Sequence, residues 1–187
     1  GNRALVAGST TLLTLAMAIP AAYALARLRV PRRGLVLGGL LMVSMFPQIS
    51  IAGPVWSMLQ SLELLNTYPG LVIPYVTLNL PLGVWVLAAF FRDLPPEMEE
   101  AARIDGCTRL QALCRIVIPL SAPGVFTAAI LVFIYAWNEF FFALLIMTER
   151  SRQTLPVGIT LLQGQYTMPW GEIAAASVVA TVPLVLA

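Results

Sequence analysis

Charged side chains divide this sequence into uncharged, mostly apolar runs at residues 4–26, 34–62, 64–91, 116–138 and 173–187. A bilayer core takes about 20 consecutive apolar residues, at 1.5 Å of helix per residue. The run 4–26 therefore predicts one plain helical span. It lacks the charged n-region and nearby cleavage pattern of a signal peptide. The runs 34–62 and 64–91 are too long for one straight span each. Pro47, Gly53 and Pro54 break the first, and Asn66-Thr67-Tyr68-Pro69-Gly70 is turn chemistry that opens the second. The expected spans are 34–53 and 70–91, joined by a short amphipathic piece near 54–65. A fourth span is expected within the run 116–138, starting near Pro119, and a fifth within the run from 173 to the chain end. The stretch 153–171 is uncharged but holds Pro156, Gly158, Gly164, Pro169 and three glutamines, which predicts a loop or re-entrant segment. The expected fold is an all-α polytopic transmembrane bundle with about five spans. The chain reads as a single domain over 1–187, and as a fragment with an N-terminal span and the C-terminal end missing.

Composition agrees and adds exclusions. The 187 residues are 59% hydrophobic and only 11% charged, whereas a soluble domain is about 25% charged. All 11 basic residues are arginine, and there is no histidine. Without lysine the chain cannot carry a Walker-type phosphate loop. Without histidine it has no imidazole metal site or Ser-His-Asp triad. Net charge of +2, with no basic stripe, gives no sign of nucleic acid. Cys107 and Cys114 have neither metal nor redox spacing. The arginines set an orientation, because cytoplasmic loops are enriched in them. Arg27, Arg29, Arg32 and Arg33 follow the first span, and Arg92, Arg103, Arg109 and Arg115 follow the third. Eight therefore fall on the inner side and three on the outer.

The inner loop 94–118 is long for a compact bundle and predicts two short helices. Pro95 and Pro96 suit a helix start. Glu97, Glu99 and Glu100 crowd the first turn, where the positive helix end favours them. Gly106 has the chemistry of a left-handed C-terminal stop. Thr108 and Gln111 have capping-box spacing for the second helix. Pro119 stands near the start of the fourth span.

Glu100-Ala101-Ala102, then Gly106, then Ile116-x-Ile118-Pro119 resembles the EAA loop of ABC importer permeases, E-A-A-x3-G-x9-I-x-L-P. Asp105 beside Gly106 fits, and Ile118 replaces Leu at similar volume. Ala21 to Arg27, Met45-Phe46-Pro47, Leu65-Asn66-Thr67 and Trp137-Asn138-Glu139-Phe140 resemble the carbohydrate-uptake branch, specifically the second permease of maltose- and trehalose-type importers. The resemblance implies a type I permease core in the plasma (inner) membrane of a prokaryote. It implies a homologous second permease, two cytoplasmic ATPases, an extracytoplasmic solute-binding protein and a sugar substrate. It also implies that this chain binds no cofactor, ATP being hydrolysed by partner subunits. Glu100, Ala101, Ala102, Asp105 and Gly106 would couple to the ATPases, with Ala102 facing their groove.

For the substrate path, sugars favour aromatic faces with amide and carboxylate partners. Tyr135, Trp137, Asn138 and Glu139 offer these at the end of the fourth span, with Gln48, Thr77 and Asn79 as further candidates. Glu139 could equally mark the outer membrane interface beside Trp137. Trp56, Trp85 and Trp170 suit interfacial belts, and Gly8, Gly38, Gly39 and Gly83 suit close helix packing. Two other readings stand beside sugar import: a permease for another solute, such as a peptide or polyamine, and a different class, an intramembrane enzyme or a structural membrane subunit, for which the sequence shows no catalytic set.

Overall fold

In this computed structural model, residues 2–149 and 170–185 are described. Every regular element among them is helical: α1 (Asn2–Arg27), α2 (Arg33–Ser44), α3 (Gln48–Ser61), α4 (Tyr68–Asp93), α5 (Pro96–Ile104), α6 (Arg109–Leu120), α7 (Ala122–Asn138), α8 (Phe141–Ile146) and α9 (Trp170–Val185). Helices satisfy their own backbone groups, which lipid cannot. The stretch 153–171, expected to be a loop, lies outside the described residues except Trp170 and Gly171, which open α9.

α1 and α4 are each long and apolar enough to cross a bilayer, while α2 with α3 and α6 with α7 reach that length only as broken pairs. One expected span is thereby corrected. The run 34–53 is not one helix. It stops at Ser44, and Pro47 caps the start of α3. Proline has no N–H for the preceding ladder and turns the residue before it away from helix. Pro54, expected to end that span, lies inside α3, so the expected linker near 54–65 is mostly helix. The fourth span, expected to start near Pro119, follows a bend just beyond it. The chain turns by 80° at Ser121, and α7 begins at Ala122. Pro119 belongs to α6, where Leu113–Val117 form a π turn. The wider turn lets the N–H of Ile118 reach the carbonyl of Leu113, and such a turn accommodates a proline that cannot donate.

The chain divides into two compact units. One comprises residues 11–46 and 77–132. Its core joins Ala18, Ala22 and Leu25 of α1 to Val84, Leu87, Ala88 and Phe91 of α4, with Leu113, Val117 and Ala128. Lipid supplies little hydrophobic drive, so close packing of small residues holds such helices. A Cβ on Gly83 would stand 3.3 Å from Cβ of Ala18 and 3.4 Å from Cγ2 of Thr14, so Gly83 does permit close approach. Gly8, Gly38 and Gly39 do not serve that purpose here, since a Cβ on each meets nothing within 4 Å. Gly124 does so instead: a Cβ there would overlap the Phe90 ring and lie 2.7 Å from Cβ of Phe90.

The other unit comprises residues 1–10, 47–76 and 133–187. In it α3 packs on α8, with Leu59, Phe142, Ala143 and Ile146 buried. Asn66, held at φ 57°, staples the two stretches. Its Oδ1 accepts from the N–H of Thr148 at 2.7 Å and of Glu149 at 3.0 Å, and its own N–H donates to the Ile146 carbonyl at 3.1 Å.

Candidate functional site

The loop over 94–118 forms the two expected helices, and their joint is built from local chemistry. Pro95 occupies the N-cap of α5 and Pro96 its first turn. At the other end the N–H of Gly106 reaches the carbonyl of Arg103 at 3.1 Å, and the N–H of Cys107 reaches that of Ala102 at 3.0 Å. This paired closure is a Schellman motif, and it needs a left-handed residue at Gly106. Gly106 has φ +89°, with open space where a Cβ would go. The capping box also forms. The N–H of Gln111 donates to Thr108 Oγ1 at 3.3 Å, and the N–H of Thr108 donates to Gln111 Oε1 at 2.8 Å.

Among the five residues of the expected coupling motif, Glu100, Ala101, Asp105 and Gly106 are exposed. Ala102 is not: it is 6% exposed and packed within the chain. Its expected outward-facing role is thereby corrected. α5 packs on α6 and on the π turn that follows it, and Ala102 lies on the covered side of α5. The outward face presents Met98, Glu100, Ala101 and Ile104 instead, with Ile104 at 86% exposure.

The inward face of α5 carries a group that the motif did not single out. Glu99 accepts a hydrogen bond from the Tyr23 hydroxyl, and its Oε2 lies 3.8 Å from Nε of Arg27. Arg27 Nη2 also donates to the Leu94 carbonyl at 2.8 Å. Tyr23 and Arg27 are four residues apart and so share one helix face. That spacing was a usable signal, although it does not say which carboxylate answers it.

At the end of α7, Tyr135 and Asn138 are exposed, whereas Trp137 is buried. The Asn138 amide donates to the carbonyl of Ile134 in its own helix at 2.9 Å. Trp137 stacks on Phe133 at 5.4 Å and receives the Arg3 guanidinium over its face at 4.6 Å. Such a cation–π contact is worth about 2 kcal/mol when desolvated. Glu139 turns inward. It accepts from the Tyr75 hydroxyl, from the N–H of Phe142 at 2.9 Å and from the N–H of Ala143 at 3.2 Å. A carboxylate over the free amides of a helix start is favoured both by hydrogen bonding and by the local dipole. Glu139 thus caps α8 and ties it to α4. Of the further candidates, Gln48 and Thr77 are exposed and Asn79 is buried.

Comparison with known proteins gives these helices a context. Residues 15–187 match the family model described as binding-protein-dependent transport system inner membrane component. The trehalose/maltose transport system permease protein of Thermococcus litoralis is 46% identical over 186 residues, which cover 99% of this chain and 67% of that protein. The sulfoquinovosyl glycerol transport system permease protein of Agrobacterium fabrum is 45% identical, over 99% of this chain and 65% of that protein. The trehalose transport system permease protein of Mycobacterium tuberculosis is 42% identical, over 95% and 65%. The chain thus spans about two thirds of the length of these relatives. A crystal structure of a bacterial ABC transporter that imports the acidic polysaccharide alginate contains a chain of the same fold. The TM-score is 0.72 at 20% identity, over 100% of this chain and 73% of that one. With the family model matched from α1 to the chain end and three relatives above 40% identity, this chain belongs to the binding-protein-dependent transport system inner membrane components.

Proposed function

We propose that this chain is a membrane-spanning part of a permease subunit of an ABC importer for a sugar, with α5, Gly106 and α6 as its docking element for a cytoplasmic ATPase. The observation that carries the reading is the α5–α6 joint. A Schellman closure at Gly106 and a capping box at Thr108 hold a nine-residue helix in one pose. That helix and its C-cap residue present Glu100, Ala101, Ile104 and Asp105 outward. A short, fixed, amphipathic helix with an exposed apolar tip suits a groove on a partner. Glu100 and Asp105 are available to basic groups there, and Ala102 acts from inside by setting the distance between α5 and α6.

The partners follow from the same reading: a second permease, two ATPases and an extracytoplasmic binding protein. This chain contributes no nucleotide site, and ATP is hydrolysed by the ATPases. The loop 94–118 faces the cytoplasm, in line with the eight arginines assigned to that side. Sugar is favoured over peptide or polyamine because relatives at 42–46% identity carry the names of trehalose, maltose and a glycosylated glycerol. On this chain Tyr135 and Asn138 are the groups exposed for a sugar, with Trp137 and Glu139 behind them as supports.

The test is uptake by the full-length permease, purified with its ATPase and reconstituted with ATP and binding protein. Trehalose, maltose, sulfoquinovosyl glycerol, a dipeptide and spermidine are offered in turn. ATP-dependent uptake of a glycoside alone is the expected result. Uptake of the dipeptide or spermidine instead would replace the sugar assignment, and failure to co-purify any ATPase would overturn the docking reading.

A further inference from the structure

We propose that Tyr23, Arg27 and Glu99 form the mechanical joint between the docking helix and the membrane: positioning residues through which a displacement of α5 becomes a displacement of α1. This rests on the docking role of α5 proposed above.

Three features of the joint support it. The first is its burial. Glu97 and Glu100 are exposed, as suits carboxylates that merely serve a helix start. The side chain of Glu99 is 13% exposed and that of Arg27 is 11%. Withdrawing both from water is costly and calls for a compensating role.

The second is its two-point grip. α5 packs on α6, whereas its tie to α1 is made by long polar side chains. Arg27 holds the Leu94 carbonyl at 2.8 Å, just before α5 begins, and faces Glu99 one turn into it. Tyr23, a turn earlier on α1, donates to the same carboxylate. Two anchor points transmit direction as well as distance, which one hinge point cannot.

The third is slack. Among the described residues Arg27 Nε is buried without a hydrogen-bond acceptor, and Glu99 Oε2 stands 3.8 Å away. A charged N–H···O bond closes at about 2.7–2.9 Å, so a movement of about 1 Å would complete the pair. Beside it lies a cavity of about 300 Å3, lined by Ala26, Arg27, Pro96, Glu99, Glu100 and Arg103. The side chains therefore have room to change arrangement. An ion pair with an open and a closed form is the kind of two-state contact that turns a small shift into a packing change.

The experiment uses the full-length complex in proteoliposomes, with the glycoside from the panel above that the parent takes up. Glu99→Gln, Tyr23→Phe and the double variant are compared by ATPase co-elution, hydrolysis rate and sugar imported per ATP hydrolysed. Co-elution and hydrolysis should persist while sugar per ATP falls on the order of fivefold or more. The double variant should fall no further than the worse single one, because both act through one joint. Arg27→Lys, which keeps the charge but loses the fork, should give an intermediate ratio. An unchanged ratio in both single variants overturns the proposal. So does proportional loss of co-elution, hydrolysis and uptake, which would make the cluster a folding contact. If the parent complex itself shows no ATP-driven uptake, the failure belongs to the docking reading, and this proposal falls with it.

Discussion

Removing the Glu139 carboxylate separates a structural brace from a sugar ligand. In Glu139→Ala the N–H groups of Phe142 and Ala143 lose their acceptor in the first turn of α8, and the Tyr75 hydroxyl loses one partner. A hydrogen bond to a charged group contributes about 1.5–3 kcal/mol, and a buried donor left unmatched costs about 1–3 kcal/mol. Water can reach part of the half-buried Glu139 site, so the three contacts do not sum. A net loss of about 3 kcal/mol is expected. For an isolated domain of about 150–250 residues that corresponds to a fall of about 6–12 °C in unfolding midpoint, and in the larger complex to a smaller fall. Glu139→Gln keeps an acceptor oxygen and should lose about 1 kcal/mol. The assay is thermal unfolding of the purified complex in nanodiscs, beside the apparent affinity for the transported glycoside. A Glu139→Ala complex as heat-stable as the parent, yet tenfold or more weaker for sugar, would refute the bracing argument and make Glu139 a ligand.

Four further substitutions probe the packing and the caps. Gly124→Ala drives a methyl into Phe90 and should cost at least 1–3 kcal/mol, while Gly8→Ala, with open space around it, should be neutral or slightly stabilising in the same unfolding assay. Thr108→Ala removes one arm of the capping box and should cost about 1 kcal/mol, read as faster amide exchange in residues 109–112. Asn66→Ala removes the acceptor for the amides of Thr148 and Glu149 and should cost about 2 kcal/mol, with exchange rising at those two amides.

What the sequence disclosed, and what it hid, follows the range of the interactions. Gly106, Thr108 and Gln111 were legible because each acts on backbone within five residues of itself. The face of α5 that turns inward was not. Nine residues of helix offer two alanines side by side, and only packing against the rest of the chain decides that Ala102 is covered and Ala101 is not. The end of α2 was misjudged because Pro47, Gly53 and Pro54 are all breakers by type. Pro47 begins a new helix, while Pro54 is absorbed within it. Pro119 does stand near the start of the fourth span, but the π turn that carries α6 to Leu120 had no sequence signal. The partner of Glu139 is 64 residues away in the chain, and no local pattern points to Tyr75. Gly124 was overlooked for the same reason: its use is defined by Phe90, on another helix.

The docking role of the α5–α6 joint is tested most directly at Gly106. A Cβ there meets no described atom within 4 Å, and Gly106 lies exposed in the loop between α5 and α6, outside the spans. Gly106→Asp strains a turn held at φ +89° by about 1–2 kcal/mol and adds a charge to the exposed end of the docking helix. The measurement is binding-protein-stimulated ATP hydrolysis and glycoside uptake by the reconstituted complex, at matched amounts of inserted permease. The account predicts that Gly106→Asp inserts normally, while the ATPase is lost from the complex or hydrolyses without driving uptake. Parental uptake with full stimulation of the ATPase would contradict it.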